Sequence, residues 1–206
     1  MSTILVLLTL VPGGAAIVCL LAPQPVAEAV TVLSGIGSLA GAIVLVPAAA
    51  EHTQTAAGFL RADALSVVFL LATCFLYAAT SMYAVGYLQT EQHAGGHEAV
   101  RARFFTEHSR RFFVGFNVFA WSMICAPLVN GLALLWIAVE ITTVVSALLV
   151  ALENTEGATE AAWKYVLLAS SGLGIALLAT IFMYYAGAQV LGASYDLAFD
   201  PLLATA

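Results

Sequence analysis

The stretch LALLWIAVEITTVVSALLVAL, from Leu132 to Leu152, decides what kind of molecule this is. It is apolar over the ~20 residues an α-helix needs to cross a bilayer at about 1.5 Å per residue, and one carboxyl group, Glu140, interrupts it. Counted back from Leu152, Glu140 lies about 18 Å deep. An acidic side chain at such a depth costs about 2.5–3.5 kcal/mol on insertion scales, so a sequence that keeps one there points to use. A carboxyl group taken out of water favours its neutral form and can hold or pass a proton. The bland alternative is a protonated acid hydrogen-bonded between helices. Thr143 one turn on, with Thr142 and Ser146 along an adjacent strip, extends a polar seam from it, each hydroxyl able to hold a water or to bond back to a carbonyl one turn earlier.

Five further stretches have spanning length: about Thr3–Leu21, Val26–Ala50, Asp63–Leu88, Phe112–Val129 and Ala161–Gly187. The first ends at APQP (Ala22–Pro25). The second carries Gly37 and Gly41 at a spacing that lets another helix approach. The last reads AAWKYVLLASSGLGIALLATIFMYYAG, with Lys164 about 5 Å below the interface, and Ser170 and Ser171 close to the level of Glu140. Lys164 is then about 13 Å from Glu140 in depth, too far for an ion pair, so it marks the mouth of a path that Ser170 and Ser171 would line. A plain snorkelling lysine explains the same position.

The composition agrees. Of 206 residues 62% are hydrophobic and 9% charged, with a mean hydropathy of +1.00, whereas soluble domains carry about 25% charged residues. This excludes a soluble enzyme, a secreted disulfide scaffold and a disordered tail. Six Lys+Arg against twelve Asp+Glu exclude a nucleic-acid partner. The expected fold class is all-α, a polytopic bundle of about six transmembrane helices in a lipid bilayer. Cys19, Cys74 and Cys125 lie in apolar runs without metal spacing and behave as small hydrophobes. His93, His97 and His108 accompany carboxylates, but Gly95-Gly96 breaks the helix a histidine pair would need, so no metal is expected. The spans hold no ligand set for a redox centre, and no cofactor is expected.

Orientation follows the cations. Arg101, Arg103, Arg110 and Arg111 place the 89–111 connection in the cytoplasm, where Phe104, Phe105, Phe112 and Phe113 dip into the headgroups. The chain then divides into three leading helices (1–88), a basic cytoplasmic loop (89–111), three helices (112–187) and an external tail (188–206), with the N-terminus outside. Arg61 is the exception, on the outer side.

RADALS (Arg61–Ser66), YAVGYL (Tyr83–Leu88), LLWIAVEITTVVSALLVAL (Leu134–Leu152) and EAAWKYVLLASSGLGIALLAT (Glu160–Thr180) resemble the antiporter-like membrane subunits of complex I, membrane-bound hydrogenases and multi-subunit cation/proton antiporters. The wording is nearest to the hydrogenase-4 or formate hydrogenlyase branch. The resemblance implies a fold of about fourteen helices, of which this chain corresponds to the first six. It implies a subunit that conducts protons, or sometimes sodium, in a prokaryotic cytoplasmic membrane, driven by redox chemistry in companion subunits. The family's glutamate on the fifth helix falls on Glu140, and its lysine at the head of the sixth on Lys164. The sequence stops at DPLLATA, so the expectation is that a separate polypeptide supplies the remaining helices, or that the chain is a shortened relative. The rival expectation is a structural anchor that does not conduct.

Overall fold

The computed structural model describes residues 1–93, 98–192, 195 and 197–205, with side chains placed outside 89–106 and 203–205. His93, His97, Arg101, Arg103, Phe104 and Phe105 fall outside those side chains. The fold is an all-α membrane bundle: α1 (Ser2–Leu21), α2 (Gln24–Glu51), α3 (Ala64–His93), α4 (Glu98–Cys125), α5 (Leu132–Ala151), α6 (Glu156–Leu191) and a short α7 (Phe199–Thr205). A two-stranded hairpin, β1 (Gln54–Ala56) and β2 (Leu60–Ala62), sits between α2 and α3, with Thr55 opposite Arg61.

Local chemistry sets the boundaries. Ala22 and Pro23 are extended, which ends α1 and begins α2 at Gln24. The backbone N–H of Ser66 donates to Asp63 Oδ1 at 2.8 Å, capping α3, and Thr155 caps α6 through the Ala158 N–H. Ala57 and Gly58, both at positive φ, turn the hairpin.

Among the described residues five helices, α1, α2, α3, α5 and α6, are long and apolar enough to span a membrane. The sequence expectation differs at the fourth span. Residues 112–125 are the apolar half of one helix, α4, whose other half carries the charges expected in a loop. Most of that 89–111 segment is helical, because Glu and Arg at helical spacing suit an exposed helix as well as a loop. The 188–206 tail also differs: α6 runs on to Leu191, and Tyr195 packs on Gly187 so closely that a Cβ there would lie 2.5 Å from its ring.

Antiparallel α1, α2, α3 and α4 form the interior, with α5 on α4 and α6 on α5. Buried helix positions are mainly small, including Ala15, Ala42, Ala120, Ala138 and Ala147, while Leu33, Phe69, Phe75, Leu148 and Phe182 face outward. That is the pattern of helices packed in lipid, where small residues let backbones approach and large apolar ones meet acyl chains. The small-residue contact in α2 is not made by Gly37, which has open space. Gly35 meets Ala78 and Ser81 of α3, and Gly41 meets Leu8 of α1, because the two helices lie on different faces of α2.

Candidate functional site

Two hydrogen bonds fix the register of α5 against α6. Trp136 Nε1 donates to the Leu173 carbonyl at 2.7 Å, and Ser170 Oγ donates to Glu140 Oε1 at 3.0 Å. The pairs step in opposite directions along the two helices, as antiparallel neighbours must. Glu140 is half-buried, and its Oε2 is enclosed without a hydrogen-bond partner among the described residues. An enclosed carboxylate oxygen without a partner is costly, so such an atom calls for a proton, a water or a further side chain.

The other expected polar residues divide. Ser170 meets Glu140, whereas Ser171 is exposed and donates to the Leu167 carbonyl. Thr143 bonds back to the Val139 carbonyl at 3.0 Å and Ser146 to the Thr143 carbonyl at 2.9 Å. Lys164 forms an ion pair with Glu160 one turn earlier, both exposed. Carried along the α5–α6 register, Lys164 stands opposite Ser146, about 9 Å along the axis from Glu140. The depth expected from sequence was larger because α6 begins at Glu156, before Ala161.

Further polar contacts hold this region, one through Thr142 of the strip read in the sequence and others through residues that sequence reasoning missed. Thr142 Oγ1 lies 2.9 Å from Ser122 Oγ, linking α5 to α4 in the span. Trp136 passed as an apolar residue, although a buried indole N–H needs an acceptor. Further into the bundle, the Asn117 amide nitrogen lies 2.8 Å from Thr31 Oγ1 and 2.7 Å from the Phe113 carbonyl. Tyr77 joins the Asn117 carbonyl oxygen to Ser34. Cys19 is more than a small hydrophobe: its sulfur lies 3.6 Å from both Thr31 Oγ1 and Asn117 Nδ2. The signal available in the sequence was the run Thr31, Ser34, Ser38 on one face of α2.

At the hairpin end, Arg61 Nη1 pairs with Asp63 at 3.1 Å, and its Nε lies 3.0 Å from Asp200 of α7. The backbone joins the same place: Arg61 N–H donates to the Leu128 carbonyl and Asn130 N–H to that of Phe59. Burial alone would raise the Asp63 carboxyl, but the Ser66 bonds and the Arg61 charge outweigh it and hold it below the usual carboxylate range. No group of three or more His, Cys, Asp or Glu capable of holding a metal occurs among the described residues.

Spanning helices wrapped in large apolar side chains, with one carboxyl group held between two of them, define a multi-pass α-helical membrane protein. No family model matches the chain. It is similar to the hydrogenase-4 component F homolog of Methylacidiphilum infernorum (isolate V4), 28% identical over 134 residues, which are 65% of this chain. The match spans 27% of that relative's length.

Proposed function

We propose that this chain forms the N-terminal part of a proton-translocating, antiporter-like subunit in a respiratory-type membrane complex of the hydrogenase-4 kind. Glu140 is the protonatable relay and Ser170 its hydrogen-bond partner. Lys164 modulates the relay's charge from the end of the span. The observation that carries this reading is the state of Glu140: one oxygen on Ser170, the other enclosed and free to take a proton or a water. Lys164 spends its charge on an exposed Glu160, a weak contact that movement in a neighbouring subunit can exchange for another. A pairing change of that kind shifts the free energy of the charged carboxylate, which is how a charge rearrangement loads or releases a proton.

The most apolar stretch of α6 has no buried residue, which fits further membrane helices packing on it from the rest of such a subunit or from a partner chain. The proposed setting is a prokaryotic cytoplasmic membrane with the Arg110 end inside and the N-terminus outside, from the clustering of Arg101, Arg103, Arg110 and Arg111.

Glu140→Gln in the assembled complex tests the reading. Redox-driven acidification measured in inverted membrane vesicles should fall at least about tenfold, the scale on which loss of a positioned proton-transfer group is felt, with assembly intact. Unchanged pumping with normal assembly would leave the chain a structural anchor. Lys164→Met should lower pumping without changing the amount of assembled complex.

A further inference from the structure

At the Arg110 end, α1, α4 and α5 leave a groove of about 570 Å³ on the outer surface. Leu20, Val118, Val145 and Leu148 wall it, Gly115 forms part of its floor, and Arg110 and Arg111 stand at its mouth. The groove follows from one glycine. Leu149 lies flat on Gly115, where a Cβ would come within 2.9 Å of its Cδ2, so α4 and α5 close beneath while the rim stays open.

Charge distinguishes this groove from a second, of about 970 Å³, at the hairpin end. There the one lining cation among the described residues, Arg61, is already matched by Asp63 and Asp200. At the first groove, among the described residues, no carboxylate lines the wall and Arg110 is exposed without an ion pair. Arg111 has Glu107 one turn back at 2.7 Å, but both are exposed, so that pair is weak and exchangeable. Glu28, Glu153, Glu156 and Glu160 belong to the same end of the bundle, and none of them lines the groove. The result is an apolar trough running into the span with two guanidinium groups where α4 meets the headgroup layer. Guanidinium matches phosphate through paired hydrogen bonds, and basic pockets between spanning helices suit anionic headgroups. The volume lies in the range of ordinary ligand sites.

We propose that this groove binds an anionic phospholipid, with its phosphate on Arg110 and Arg111 and an acyl chain laid over Gly115. Bound there, the lipid braces α5 against α1 and α4, and it does so whatever ion the chain moves.

The test uses the full chain with any subunits that accompany it, in nanodiscs of phosphatidylcholine containing a minor share of phosphatidylglycerol with the same acyl chains. Native mass spectrometry should show phosphatidylglycerol retained above its share. Replacing both arginines, R110Q with R111Q, should reduce that retention about fivefold for each charge removed. Both residues are exposed, so the variant keeps its fold. Val118→Trp fills the trough with both arginines in place and should also abolish the preference. Equal retention of the two lipids would overturn the proposal. So would a Val118→Trp protein that keeps its preference, since the arginines would then act only as surface charge. A photoreactive residue at Leu148 should label lipid; adducts with another polypeptide instead would give the groove to a protein partner.

Discussion

Helices α1–α4 join Thr31, Ser34, Tyr77 and Asn117 in one network, while the buried hydroxyls of Ser38 and Ser109 have no partner among the described residues. Helices α5 and α6 share two side-chain hydrogen bonds among the described residues, Trp136 to Leu173 and Ser170 to Glu140, and the second leaves a carboxylate oxygen unmatched. The network in the first region contains no acid or base that ionises near neutral pH, so its bonds hold one arrangement. The second region contains an ionisable group whose partners are incomplete, so its arrangement can change with charge. In lipid an unmatched polar group is costly, and of the unmatched buried atoms Ser38 Oγ and Ser109 Oγ are neutral hydroxyls, whereas Glu140 Oε2 belongs to a group that can carry charge within a span.

Two glycines test that contrast most severely. A Cβ on Gly35 would lie 2.9 Å from Ser81 Oγ and 3.0 Å from the Ala78 Cα, so Gly35→Leu must push α2 from α3. Overpacking of that kind costs about 1–3 kcal/mol and sometimes more, read as lost stability in reversible detergent unfolding. Gly172 on α6 has nothing within 4 Å, and Gly172→Leu should leave the unfolding of the isolated chain unchanged. If in the assembled complex the same change reduces copurifying subunits, a partner helix covers that face. Asn117→Ala comes next, at about 1–3 kcal/mol, because it removes the amide that bridges Tyr77 and Thr31 in the interior and leaves them only Ser34 and the Ala27 carbonyl as oxygen partners. Trp136→Phe removes one interhelical bond and should cost about 0.6–1.7 kcal/mol, the range for such bonds in membranes. It should also raise the labelling rate of a cysteine placed at Leu173.

How much of this was legible in the sequence depended on whether a residue's meaning was local. Spans are read from runs of apolar residues, and Glu140 stands out because every neighbour is apolar. Pro23 separates α1 from α2 and Gly131 is the N-cap of α5, whereas Pro12 and Pro47 lie inside α1 and α2, and α4 already ends at Cys125, before the expected Val129. The hairpin at 54–62 escaped notice because its strands are three residues each and are held by α4–α5 backbone, through Leu128 and Asn130, far away in sequence. Gly37 looked as suitable for close packing as Gly35, since spacing shows that a helix can approach but not from which side. Asn117 and Trp136 were overlooked for a related reason: their partners lie on other helices. Thr143 and Ser146 donate to the carbonyls of Val139 and Thr143, the back-bonded arrangement that the sequence allows beside water binding.

The smallest expected effect separates the hairpin end from the middle of the bundle by pH. Asp63 has its carboxyl held low in the folded chain, so its charge stabilises the fold above the ordinary carboxylate range. Below about pH 4 an unfolded aspartate begins to take up protons while the folded one still resists, and the contribution fades as pH falls through the lower folded value. Asp63→Asn keeps an oxygen to accept the Ser66 N–H, so it removes the charge on Arg61 and leaves the cap of α3 nearly intact. The difference in melting temperature between the wild-type chain and Asp63→Asn should be small and constant from neutral pH to about 4, and should vanish in stronger acid. A difference that persists at the lowest pH would mean the residue acts through shape and hydrogen bonding, and that the Arg61 pair adds nothing to how the hairpin is fastened.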